Sequence, residues 1–229
     1  MKVKILTLYP EVFPGFLGFS LTGKALSEGK WSLEVVNIRD YATDKYGSVD
    51  DTPCGGGAGM VMRADILGSA IDANYKGGKL IYMTPRGKPL TQQKLHELTK
   101  EQSITIICNR FEGIDERIIE TYEPDEISIG DYVLTGGEQA AMILLDGTIR
   151  LLDSVLGNDE SSHEESFENG LLEYPQYTRP VEWNGKKVPE ILLSGHHANV
   201  AKWRQEQSLK ITKERRPDLF KKYLDLKKV

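Results

Sequence analysis

The sequence predicts an α/β domain built on a largely parallel β-sheet. Over the first 150 or so residues, short apolar runs rich in β-branched residues alternate with stretches of helical periodicity. The runs are too apolar to leave one face in water, as fully covered parallel strands are. A length of 229 residues also gives room for one sizeable core and a small second unit.

The elements follow in order. Val3–Leu8, inside MKVKILTLYP, reads as a first strand and not as a secretory signal, because polar and proline positions interrupt the apolar stretch. Leu33–Ile38 is a second strand, then helix Ala64–Tyr75, strand Lys79–Met83, helix Thr91–Lys100, strand Ser103–Cys108 and helix Asp115–Tyr122, with Asp115 suited to its N-cap. A run over Ile127–Leu134 reads as a strand. Thr135 and Glu138 then form a T-x-x-E capping box for a helix over Gly137–Leu152, whose apolar face is Ala140, Ala141, Leu144 and Leu145. Residues 157–170, GNDESSHEESFENG, carry no lysine or arginine and little to bury, which predicts a flexible acidic linker. Ala198–Thr212 and Pro217–Leu226 read as two helices, the second with proline in its first turn. The boundaries are thus 1–156, 157–170 and 171–229.

Composition excludes several classes. No apolar run approaches the roughly 20 residues of a membrane helix. Cys54 and Cys108 are far apart and in no metal-ligand spacing, which predicts reduced thiols and a cytoplasmic protein. His196 and His197 lack a third ligand at suitable spacing, so no metal site is assigned. The net charge of −5 argues against nucleic acid, but its distribution does not: residues 176–229 carry 13 Lys and Arg against 6 Asp and Glu. A basic RNA-binding module and a pair of solvated helix faces explain that excess equally well.

Five segments could carry chemistry. VDDTPCGGGAGM (49–60) places four glycines beside Asp50 and Asp51, and fits neither a Walker loop nor a dinucleotide fingerprint. ICNRFEGIDER (107–117) is a strand end running into a helix start, where backbone N–H groups can meet a ligand. ISIGDYVLTGGEQAA (127–141) holds Gly130, Gly136 and Gly137; so many glycines are unfavourable in one strand and predict a sharply bent loop with exposed backbone. SFENGLLEYPQYTRP (166–180) follows Glu165, which on the residues alone is better read as closing an S-x-x-E cap with Ser162. LLSGHHANVAKWRQEQSL (192–209) sets Trp203 among His197, Lys202 and Arg204, either as a stacking surface or as an ordinary core tryptophan.

Taken together, these segments with LYPEVF and YMTPRG resemble the bacterial TrmD-type tRNA (guanine-N1)-methyltransferases, in order and over nearly the whole chain. The resemblance implies a SPOUT-class N-terminal domain tied in a trefoil knot, a flexible linker, a small all-helical C-terminal domain, and a homodimer. It implies S-adenosyl-L-methionine as methyl donor, the tRNA anticodon stem-loop as partner, no membrane, and Mg²⁺ as an optional assistant without a defined ligand set. Three loops then hold the donor: Tyr82, Met83, Thr84 and Pro85 in the first; Asn109, Glu112 and Gly113 in the second; Ile129, Gly130, Asp131, Tyr132, Val133, Leu134, Gly136 and Gly137 in the third. Asp50, Gly55 and Gly59 line the pocket for the target base, and His197 and Arg204 face the tRNA.

Arg150 and Glu165 match the catalytic pair. The expected reaction methylates N1 of the guanosine just 3′ of the anticodon, position 37. A carboxylate takes the N1 proton and an arginine stabilises charge on O6. Two positions depart from the family pattern: Asn109 stands where glycine is usual, and Glu165 stands where aspartate is usual. The rival readings are a SPOUT methyltransferase acting on another RNA position, a non-catalytic RNA-binding protein, and a nucleotide- or sugar-phosphate-binding α/β enzyme.

Overall fold

The computed structural model describes residues 1–156 and 164–227. It divides into two compact units, Met1–Gly157 and Asn158–Val229. Ser162 and the rest of 157–163 lie outside the described residues, so the cap they would form does too.

In the first unit, β1 (Lys2–Thr7), β2 (Ser32–Asn37), β5 (Lys79–Pro89), β6 (Ser103–Ile107) and β7 (Asp125–Ser128) form one sheet in the order β2-β1-β6-β5-β7. Every pairing in it is parallel. Alternate residues of each strand feed opposite faces, as a period of two requires. Val3, Ile5, Ile81, Met83, Ile104 and Ile106 pack with α5 (Glu138–Ile149), Leu98 of α3 (Gln92–Thr99) and Ala25 of α1 (Ser20–Ser27). Leu6, Leu80, Tyr82 and Ile107 pack with α2 (Ala64–Asn74) and Ile118 of α4 (Glu116–Tyr122). Covering both faces explains why these strands read as continuous apolar runs. The α/β class with a central parallel sheet is therefore what the sequence predicts.

Two local expectations need correction. The strand expected over Ile127–Leu134 stops at Ser128, because Gly130 takes φ +149° and Ser128 turns its hydroxyl onto the Gly130 backbone. The sharply bent loop read from the same glycines is present. The capping box at Thr135 is absent: Gly137, not Thr135, is the N-cap of α5, and the Glu138 carboxylate is drawn into the core. At Asn109, where the family pattern has glycine, the backbone is not left-handed; positive φ falls two residues on, at Phe111 with +60°. By contrast, Asp115 does cap α4, accepting from the Arg117 N–H.

Between β2 and α2 the glycine-rich segment is the tip of a small hairpin, β3 (Asp50–Asp51) paired antiparallel with β4 (Val61–Met62).

The second unit holds α6 (Glu190–Leu193), α7 (His197–Arg215) and α8 (Pro217–Leu226). It is not all-helical. Glu182–Trp183 (β8) pairs antiparallel with Lys186–Lys187 (β9) across Asn184-Gly185, both with positive φ. That dipeptide is the strongest short-range hairpin signal, and it stood in the sequence. Segment 171–173 is tied to α7, where buried Thr212 accepts from the Leu172 N–H at 2.8 Å.

Candidate methyl-donor site

At the carboxyl edge of the sheet, three consecutive strand-end loops meet around a cavity of about 330 Å³. The first is a bulge inside β5. Met83 and Lys88 both pair with Ile127, so Thr84–Gly87 is extruded from the ladder. The chain can return to the sheet only through glycine: a Cβ on Gly87 would lie 2.4 Å from the backbone nitrogen of Ile127. The second loop follows β6, and the third runs from β7 to α5.

Of the fifteen residues assigned to the donor, all but Asp131 line this cavity; Asp131 is exposed beside it. Arg86, Phe111, Ile114, Ile127, Ser128, Thr135 and Ala140 complete the wall. The lining is mixed. Ile114, Ile127, Leu134 and Ala140 offer apolar surface suited to a planar base, while Glu112 brings a carboxylate suited to a cation. Burial pushes the Tyr82 hydroxyl above its usual pKa, so the ring stays neutral in the wall. Arg86 donates to Glu116 at 2.8 Å, which joins the first loop to the start of α4.

The glycine-rich hairpin borders the same place. Glu112 N donates to Met60 O at 2.9 Å, and Met62 N donates to Gly113 O at 3.0 Å. A Cβ on Gly59 would lie 2.5 Å from the Glu112 carboxylate. Gly55 faces open space, and Asp50 sits in β3, paired with Met62.

Arg150 is the C-cap of α5, half-buried, with its N–H on Asp146 O. Glu165 is half-buried at the start of the described part of the second unit, and its carbonyl accepts from Glu168. In that unit His197 is the exposed first residue of α7. Arg204 donates to Glu164 at 3.1 Å and stacks over Tyr174 at 4.7 Å. Trp203 packs at a tilt against Tyr177, 6.3 Å between ring centroids, beside a second cavity of about 500 Å³.

Residues 1–222 match the family model described as tRNA (Guanine-1)-methyltransferase TrmD. The chain belongs to that family. Among similar proteins, a tRNA (guanine-N(1)-)-methyltransferase of Rhizobium etli is 57% identical over 224 residues, covering 96% of each chain. The proteins of the same name from Brucella ovis and Brucella suis are each 58% identical over 219 residues, covering 96% of this chain and 91% and 90% of theirs.

Motif reading of this TrmD-family chain missed one cluster at the site. Arg110, Glu138 and Thr7 form a charged network behind the cavity wall. Its sequence signal was present, but it pointed to a local cap at Glu138. Among the described residues, no group of three or more His, Cys, Asp or Glu is placed to hold a metal ion. No helix among them is long and apolar enough to cross a membrane.

Proposed function

We propose that the chain is a tRNA methyltransferase that moves the methyl group of S-adenosyl-L-methionine to N1 of the guanosine immediately 3′ of the anticodon, position 37. One observation carries the reading: three sheet-end loops assigned to the donor line one cavity, in a chain of the TrmD family. The curated relatives bear the name tRNA (guanine-N(1)-)-methyltransferase, which supports the N1 of a tRNA guanine as the target.

The cavity suits the donor by its own chemistry, with apolar walls for adenine, backbone-rich loops for polar edges and the Glu112 carboxylate for a cation. When bound, the donor supplies a methyl group on a sulfonium that needs no further activation. The remaining difficulty is guanine N1, which carries a proton at neutral pH and is a poor nucleophile. Glu165 removes that proton as the general base, and Arg150 stabilises the negative charge that grows on O6. Arg204 and His197, within the basic segment 176–229, contact the tRNA backbone.

The reading extends to the trefoil knot, the homodimer and a cytoplasmic location. The sheet order β1-β6-β5-β7 with three converging loops supports the knot. Phe16, Phe19, Leu21 and Ile143 are exposed on neighbouring elements of the first unit, an apolar surface suited to a second subunit.

The test is transfer from labelled donor to a tRNA transcript with its guanosine 3′ of the anticodon intact or replaced by adenosine. Label should enter only the first, and equal labelling of both would overturn the assignment. Glu165→Gln should keep donor affinity and lower turnover by roughly 10²–10⁴-fold. Near-normal turnover in that variant would remove Glu165 as the base.

A further inference from the structure

At the end of β1, Thr7 is fully buried and its hydroxyl donates to Glu138 Oε1 at 2.8 Å. Glu138 itself is 3% exposed. Its Oε2 stands 3.1 Å from Arg110 Nη2, while Arg110 Nη1 donates to the Thr135 carbonyl at 3.2 Å. The same guanidinium stacks over Tyr9, 4.3 Å from the ring centroid. Burying a carboxylate is unfavourable unless it is paired, and a buried pair often adds no stability over an apolar one. Here the pairing is also incomplete, because Glu138 Oε2 and Arg110 Nε are buried without an aligned hydrogen-bond partner. Stability alone is a poor reason for this arrangement.

Its position suggests another. Thr7, Arg110 and Glu138 do not line the cavity, but Asn109, Phe111, Thr135, Gly136 and Gly137 do. Between Gly130 and Thr135 the third loop is largely exposed, with Val133 at 82%. Its far end is fixed at two points. Gly137 N donates to Asn109 O at 2.9 Å, and the Thr135 carbonyl rests on Arg110. Gly136 leaves space for this contact, since a Cβ there would lie 2.5 Å from Arg110 Nε and 2.6 Å from Glu138 Oε2.

We infer that Glu138 and Arg110 are positioning residues for the methyl donor: a buried ionic latch that sets the third loop against the second without touching the ligand. The inference rests on the donor-site reading above, and its test separates the two. The probe is S-adenosyl-L-homocysteine, titrated calorimetrically into the full chain, with tRNA affinity and thermal melting measured alongside. Binding by the unaltered chain tests the donor site; absence of binding would overturn both readings. Glu138→Gln and Arg110→Lys should each weaken the probe about tenfold, the scale expected for a small misplacement of binding groups. They should leave tRNA affinity unchanged and melting cooperative. The double variant should lose no more than the worse single, since either change opens the same latch. Arg110→Lys keeps the charge beside Glu138 but not the fork to Thr135, so it remains informative if Glu138→Gln folds poorly. Probe affinity within twofold of the unaltered chain in both singles would overturn the latch. So would equal losses for probe and tRNA, or additive losses in the double variant.

Discussion

Gly87→Ala tests whether the extruded turn of β5 builds the cavity. The added Cβ would meet the backbone of β7 at three points: 2.4 Å to Ile127 N, 2.5 Å to Glu126 C and 2.7 Å to Glu126 O. None of these is the free end of a side chain that could swing away. Restoring ordinary contact near 3.4 Å requires β5 and β7 to part by about 1 Å at the Lys88–Ile127 pairing. Overpacking of this kind costs about 1–3 kcal/mol. A weakened ladder bond adds about 1 kcal/mol, and loss of glycine entropy in the unfolded chain returns about 0.4–1 kcal/mol. The net expectation is about 2 kcal/mol, or a fall of about 4–8 °C in melting temperature for a unit of this size. Gly77→Ala is the comparison. Gly77 has no atom within 4 Å of its added Cβ, so it meets only the strain of φ +99°, about 1–2 kcal/mol. Thermal unfolding and donor binding should be measured on both. Gly87→Ala should lose donor affinity as well as stability, and Gly77→Ala only stability. A Gly87→Ala protein that melts with the unaltered chain and binds donor normally would refute the close-approach argument.

Two further outcomes follow from the ionisable groups. Burial of Asp125 raises its pKa, but hydrogen bonds from Lys94 of α3 and Lys79 at the start of β5 outweigh it, and the carboxyl lies below its ordinary value of 3.8. A depressed carboxyl stabilises the fold above its unfolded pKa and loses that contribution as pH falls through the folded value. Asp125→Asn should therefore cost about 1 kcal/mol at neutral pH, a gap that closes below about pH 4; a difference that does not change with pH would count against the ion pairs. Cys54 is exposed, whereas Cys108 is fully buried and its thiol is pushed well above its usual pKa by burial, then by Glu138. A thiol reagent at neutral pH should modify one cysteine in the folded chain and two in denaturant, and rapid native modification of both would mean that the Cys108 layer opens.

The sheet was legible because its strands are apolar on both faces and short-range pattern decides them. Helix α1 was not, because Ser20–Ser27 is only eight residues long and carries Gly23 in its middle. The loop after Ser128 was half legible: Gly130 signalled a bend, yet the apolar run Tyr132–Leu134 imitates a strand although it is exposed at the rim of the cavity. Asn184-Gly185 was fully legible and passed over, since its flanking strands are two residues each and show no alternation. Glu138 was the hardest case. A T-x-x-E pattern is satisfied by a local cap, and only the fold reveals a stronger competitor, a threonine 131 residues away. Long-range polar pairs leave no periodicity to read.

That asymmetry also bears on what makes the site. The cavity proposed for the donor is closed by loops whose turns depend on glycine, and the neighbours of those glycines cannot be named without the fold. Gly87 must admit β7, and Gly136 must admit Arg110. The groups proposed to do chemistry are recorded differently. Arg150 closes α5 in the first unit, whereas Glu165 and Arg204 belong to the second. Every residue lining the donor cavity is in the first. In the proposed function, donor binding and proton removal therefore rest on different segments. A change confined to the Glu165 carboxylate should leave the first intact while lowering the second, whereas a change at Gly87 reaches the first through the sheet.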